Sequence, residues 1–244
     1  MVSMPLLVLL HSPLVGPLTW QPAATSLRAS GYQVAVPSLT GVLDTGPPFY
    51  RKLAGRVAET IRQANPGRPV ILVGHSGAGA LLPAAAEAAG MPVGALVFVD
   101  AILPHPGLSW FQTAPPALGE QLRGLAGDGR LPPWHQWFPQ EAVAGLLPEE
   151  DLRRRFIGEL PRLPLAYFEE RAPTVSGWSP ACCGYLRLSG AYDGVADEAE
   201  GLGWLVVRES ADHLAMLTRP ATIAGLLDRL ISALLDPGPQ APGR

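Results

Sequence analysis

Cysteine, charge and long apolar runs are all scarce in this chain of 244 residues. Its two cysteines, Cys182 and Cys183, are adjacent, a spacing that offers neither a disulfide framework nor a metal-ligand pair. They read as small buried hydrophobes at a strand entrance. Charged residues make up only 16%, with 18 basic against 21 acidic and a net charge of -3. Without a dense basic cluster to hold a phosphate backbone, nucleic acid is not an expected partner. The longest apolar stretch near the start, Pro5 to Leu10, is far short of the roughly 20 residues a membrane-spanning helix needs and lacks the flanks of a secretory signal. A cytoplasmic protein without a membrane partner is the expectation. Abundant glycine and proline, 27 of each, and almost no lysine fit a GC-rich bacterial source.

What the chain does have is a series of short apolar runs with helical stretches between them. Leu6–Leu10, Gln33–Val36, Val70–Val73, Ala95–Val99, Tyr185–Leu188 and Trp204–Val207 read as about six strands of a mostly parallel sheet with helices on both faces, an α/β architecture. Phe49, Leu53, Val57 and Ile61 recur every four residues, and Ile223, Leu226, Leu227, Leu230, Ile231 and Leu234 form a second apolar stripe on a helix that Pro220 can open. A long interruption separates the fourth and fifth strands. It carries Trp110, Trp134, Trp137, Phe138, Phe156, Tyr167, Phe168 and Trp178 without a convincing strand, and a segment of that length inside a domain is usually functional. The expected organisation is a core at 1–102, an inserted helical cap at 103–179, the rest of the core at 180–235 and a disordered Pro/Gly-rich tail at 236–244. The charge run Glu149 to Arg155 fits a solvated helix, acidic first and basic later.

The segment Gly74-His75-Ser76-Gly77-Ala78-Gly79 joins the third strand to an Ala/Leu-rich helix. A serine on such a turn sits in strained backbone with its hydroxyl projecting from the sheet, and small residues two before and two after it let strand and helix approach. Gly74 and Ala78 fill those positions here. A serine hydroxyl needs an imidazole to take its proton and a carboxylate to orient the imidazole. Among five histidines, His11 ends the first strand, His75 lies on the turn itself, and His105 and His135 lie in the insertion. His213, in a loop after the last strand, is the candidate base. For the carboxylate, Asp193 and Asp100 both follow strand ends. Chain order favours Asp193, which falls after the insertion and before the histidine, leaving Asp100 to tether the start of the insertion and Asp212 as an exposed neighbour of the histidine.

With these pieces the chain resembles the α/β-hydrolase superfamily, and within it the small cofactor-free branch of methylesterases and hydroxynitrile lyases. The marks are Leu9-Leu10-His11 leading to Trp20, Gly31-Tyr32-Gln33-Val34 into Pro37-Ser38-Leu39-Thr40-Gly41, Val73-Gly74-His75-Ser76, and Ala211-Asp212-His213-Leu214-Ala215-Met216-Leu217. The likeness implies a Ser76, Asp193, His213 triad with the Gly77 N–H as one oxyanion donor. The second donor would come from position 13, which is proline and has no N–H. The Leu14 N–H or the Ser12 hydroxyl is the expected substitute. Leu214 stands where the lyases carry an anion-stabilising lysine, which argues against cyanohydrin chemistry.

The function expected is a serine hydrolase that cleaves an uncharged, largely apolar ester, lactone or thioester through an acyl-enzyme on Ser76. No metal and no cofactor is expected. The small-molecule substrate would lie against His75, Trp110, Trp134 and Trp137, in a monomer or homodimer. The alternatives are a lyase or cyclase using His213 as general base, and a non-catalytic ligand-binding relative.

Overall fold

A computed structural model describes residues 4–64, 67–175 and 182–236 of the chain; Trp178 and the residues after 236 lie outside these. Strands β1 (Leu6–Leu10), β2 (Gln33–Ala35), β3 (Val70–His75), β4 (Val93–Val99), β7 (Cys183–Arg187) and β8 (Leu205–Arg208) form a six-stranded sheet. Its order is β2-β1-β3-β4-β7-β8, and every pair is parallel. The expected strands are all present, displaced at their ends by two residues at most. Two further strands, β5 (Arg130–Leu131) and β6 (Leu163–Pro164), form a small antiparallel ladder inside the segment read as strandless.

Alternation along the strands divides the core in two. Leu6, Val8, Leu10, Val70, Leu72, Leu96 and Phe98 face α2 (Phe49–Ala64) and α3 (Leu82–Ala88). Leu7, Leu9, Ile71, Val73, Ala95 and Val97 face α1 (Gln21–Ala29) and α11 (Pro220–Leu235). Residues on both faces of β1, β3 and β4 are therefore apolar, as a sheet covered on both sides requires. Pro220 opens α11 at its first turn, where a missing N–H costs nothing.

Between β4 and β7 run α4 (Trp110–Thr113), α5 (Pro116–Leu125), α6 (Gln140–Leu146), α7 (Glu150–Gly158) and α8 (Leu165–Glu169); α9 (Asp193–Gly201) and α10 (Ala215–Thr218) follow β7 and β8. The charge run forms α7, whose N-cap Glu149 accepts hydrogen bonds from the Asp151 and Leu152 N–H groups at 2.9 and 2.8 Å. Phe156, Leu147 and Leu160 of the intervening segment pack with Val15 and Leu18 after β1 and with Leu214 and Leu217 after β8. Glu159 adds a polar tie, accepting the Leu18 N–H at 2.8 Å.

The chain leaves β1 for β2 on one side and later returns as β3 on the other. That reversal opens a crevice at the carboxyl ends of β1 and β3, the place where open α/β sheets hold their ligands. Register pairs Leu10 with Gly74 and His75 with Val99, so the loops beginning at His11, Ser76 and Asp100 emerge side by side.

Candidate active site

Ser76 has φ 55°, the left-handed conformation a side-chain-bearing residue adopts at a cost and holds only where its surroundings fix it. Two 3-10 turns, Ser76–Leu81, carry the chain from β3 into α3. The close approaches that this sharp turn demands fall at three glycines. A methyl on Gly74 would meet Leu82 at 3.0 Å, one on Gly77 would meet the Ser12 hydroxyl at 2.9 Å, and one on Gly79 would overlap the carbonyl of Ile102. The expected small flank Ala78 is buried too, but the tightest contact lies one residue beyond it.

The structure brings Asp100, and not Asp193, to the imidazole. His213 Nδ1 donates to Asp100 Oδ2 at 3.0 Å. Asp193 instead pairs with Arg187 at 2.9 Å, its own side chain exposed and that of Arg187 largely buried. The reason lies in strand adjacency: β4 neighbours β3, so the residue following β4 emerges beside the strand that leads to Ser76. Asp100, also with positive φ (41°), is fully buried. Its oxygens accept the Leu188 N–H at 2.6 Å, the Ser189 N–H at 3.1 Å and the Ser189 hydroxyl at 2.6 Å. The next peptide is clamped by Tyr185, whose hydroxyl donates to the Ala101 carbonyl at 2.8 Å and accepts the Ala101 N–H at 3.0 Å. Burial works to raise the Asp100 carboxyl, but the hydrogen bonds from His213, Ser189 and Leu188 outweigh it and hold it below its ordinary value.

With Nδ1–H committed to Asp100, the Nε2 lone pair of His213 is left as the basic atom. The backbone of His213 is held from below, where His75 Nε2 donates to its carbonyl at 2.9 Å. The two imidazole centroids are 4.5 Å apart. Burial and the neighbouring His213 push His75 well below its usual value, so it is a neutral prop beneath the site. Above, Trp134 lies 6.5 Å from the His213 ring. Tyr192 stacks on the same imidazole at 5.2 Å with planes 4° apart.

No direct bond between Ser76 Oγ and His213 Nε2 occurs among the hydrogen bonds of the described residues. The Tyr192 hydroxyl has no partner in that set either. Burial pushes its phenol up to about 12, and the nearby Ser76 side chain pulls the other way. Nothing in the sequence singled out Tyr192 beyond its place beside Asp193.

The loop after β1 answers the question raised by Pro13. Ser12 to Val15 form a turn closed by the Val15 N–H to the Ser12 carbonyl at 3.1 Å, with proline where a turn favours it. The Leu14 N–H is spent on the Ser12 Oγ at 3.3 Å. This removes Leu14 as a donor and leaves the buried Ser12 hydroxyl, polarised and next to Gly77, with its proton uncommitted among these bonds. His11 fixes the loop: its Nδ1 donates to the Ser12 carbonyl at 2.8 Å while Nε2 accepts the Leu39 N–H at 3.0 Å. Burial lowers the His11 imidazole to about 4, so it stays neutral.

Of the tryptophans expected to line a substrate, only Trp134 lies beside His213; the expected His75 lies beneath it. Trp137 is buried with its indole N–H on the Pro132 carbonyl at 2.8 Å. Trp110 packs edge-to-face against Phe111 and Phe168. Both pack with Tyr167 and Phe168 of the intervening segment into the core cluster on the α2 face of the sheet. Among the described residues there is no group of three His, Cys, Asp or Glu side chains that could hold a metal ion, and no helix is long and apolar enough to cross a membrane.

The sequence profile of the Alpha/beta hydrolase family matches residues 7–226. The chain belongs to the alpha/beta hydrolase family. Among curated proteins, none matches it at a significant level. Solved structures with this fold include an extracellular α/β-hydrolase from a Paenibacillus species, described as sharing structural and functional homology with tobacco salicylic acid binding protein 2. It is 20% identical, with a TM-score of 0.66, covering 93% of this chain and 98% of its own. Tomato methylketone synthase I, solved with β-ketoheptanoate, is 16% identical with a TM-score of 0.67, covering 95% and 99%. A pyrethroid hydrolase from Sphingobium faniae is 19% identical with a TM-score of 0.64, covering 94% and 98%. At these identities the likeness to other alpha/beta hydrolases is one of fold.

Proposed function

We propose that this protein hydrolyses an uncharged, largely apolar ester, lactone or thioester through an acyl-enzyme on Ser76. The observation that carries this reading is the His213 Nδ1 to Asp100 Oδ2 bond beside a serine held at φ 55°. Asp100 here takes the role expected of Asp193.

His213 Nε2 takes the Ser76 proton as Oγ attacks the carbonyl, and the carboxylate of Asp100 stabilises the imidazolium that forms. The same imidazole then gives the proton to the leaving group and activates the water that releases the acyl chain. Gly77 N–H and the Ser12 hydroxyl serve as the oxyanion donors, the hydroxyl replacing the N–H that Pro13 lacks. An apolar substrate fits the surroundings: Trp134 lies against His213, and Val15, Leu214 and Phe156 close the cluster beside it. In this reading the segment from 103 onward acts as a cap, excluding water from the acyl-enzyme.

A short-chain nitrophenyl ester and a fluorophosphonate probe test the proposal. Wild-type protein releases nitrophenol with a burst and is labelled once per chain, while Ser76→Ala loses both. A general-base lyase or cyclase is the second reading, favoured by the missing Ser76–His213 bond. It requires activity that persists in Ser76→Ala and disappears in His213→Ala.

A further inference from the structure

Tyr192 is the residue at this site that the triad does not use. Its ring lies parallel to the imidazole of His213 and 5.2 Å from it, with the Ser76 side chain near enough to act on its phenol. Its seat is built: the Tyr192 N–H bonds the Ser189 carbonyl at 3.0 Å, and Ser189 is itself held by Asp100 through its N–H and hydroxyl. The carboxylate that orients the imidazole thus also fixes the turn that carries the phenol.

Strand order settles which side of the nucleophile this hydroxyl occupies. Ser76 follows β3; the Ser12–Gly77 pair lies toward β1, while Tyr192 comes from the end of β7, on the opposite side across β4. The oxyanion therefore forms on the side away from Tyr192. The leaving oxygen must collect its proton from His213, whose ring Tyr192 covers. We infer that the Tyr192 hydroxyl is a catalytic hydrogen-bond donor to the leaving-group oxygen, so that the enzyme acts on esters of unactivated alcohols.

The proton balance is simple. As the Ser76 oxygen bonds to the carbonyl carbon, its proton moves to His213 Nε2. When the bond from carbon to the leaving oxygen breaks, that proton completes the departing alcohol. Tyr192 keeps its own proton and shares it in a hydrogen bond with the oxygen on which negative charge builds. This rests on the acyl-enzyme reading above.

The test compares two butyrate esters in the full-length protein, one of nitrophenol and one of ethanol. Nitrophenolate leaves without a donor and ethoxide does not. Tyr192→Phe preserves the ring stacked on His213 and removes only the hydroxyl. Its kcat/KM for the ethyl ester is expected to fall by about 10², the usual effect of deleting one transition-state donor, and by at least tenfold less for the nitrophenyl ester. An equal loss on both, or no loss on either, overturns the inference alone. Turnover of both esters that survives Ser76→Ala overturns the acyl-enzyme reading and the inference with it.

Discussion

A single carboxylate explains the site's organisation. Asp100 receives hydrogen bonds from His213, Ser189 and Leu188, so the imidazole, the turn bearing Tyr192 and the end of β7 all converge on it. Asp100→Asn should lower kcat about 10⁴-fold by reversing the imidazole tautomer, while Asp193→Asn, at an ion pair whose carboxylate is exposed and so of little energetic worth, should cost a few-fold at most. Steady-state kinetics on the nitrophenyl ester decides between the two, and the opposite ranking would return the acid to position 193. The sequence could not make this choice. Both aspartates follow apolar strands and both keep the order serine, acid, histidine; what separates them is the neighbourhood of β4 and β3 and the strained backbone at Asp100, which exist only in three dimensions. Ser76, Gly77 and His213 were legible because a sharp strand-to-helix turn and a loop histidine leave local marks. Ser12 was readable too, through the missing N–H at Pro13.

The elements divide in the same way. The inner strands β1, β3, β4 and β7 could be read because each is a largely apolar run, mostly buried, the partly exposed edge strands β2 and β8 as shorter runs, and α2 and α11 because four or more turns repeat a stripe. The segment between β4 and β7 resisted such reading. Its helices span four to ten residues, too few to establish a period, and its ladder of two residues per strand carries no alternation. Its aromatic richness suggested a ligand wall, yet Trp110 and Trp137 join the core cluster that continues into the sheet and α2. What fastens this segment to the sheet's edge is specific: Glu159 lies over Gly16 and accepts the Leu18 N–H. A methyl group at position 16 would overlap the Glu159 side chain. Gly16→Ala should therefore destabilise the fold by about 1–3 kcal/mol, the ordinary penalty of overpacking, measured by urea unfolding. A stability equal to wild type would mean that the contact relaxes freely.

For the whole molecule, two neutral imidazoles under the site couple folding to pH. His11 is lowered to about 4 and His75 is also shifted down, both chiefly by burial. Between pH 6.5 and 4 the unfolded chain binds protons that the folded one refuses, so the stability these groups contribute is complete above 6.5 and is lost as the pH falls through that window. From the shift at His11 alone, the unfolding free energy should drop by about 3 kcal/mol between pH 7 and 4, with His75 adding in the same direction; denaturant melts across that range would show it, and a flat profile would contradict it. Asp100, held below the usual carboxylate value, extends the loss at more acid pH. Ser76 and Asp100 extend directly from β3 and β4, whose side chains are buried on both faces. The parts of a protein that open last are those with the deepest packing. Heat that loosens the peripheral helices without melting the sheet would thus leave Ser76 and Asp100 in register while freeing the loop of His213, whose neighbours Leu214 and Leu217 pack on those helices, so turnover would fade before the sheet melted.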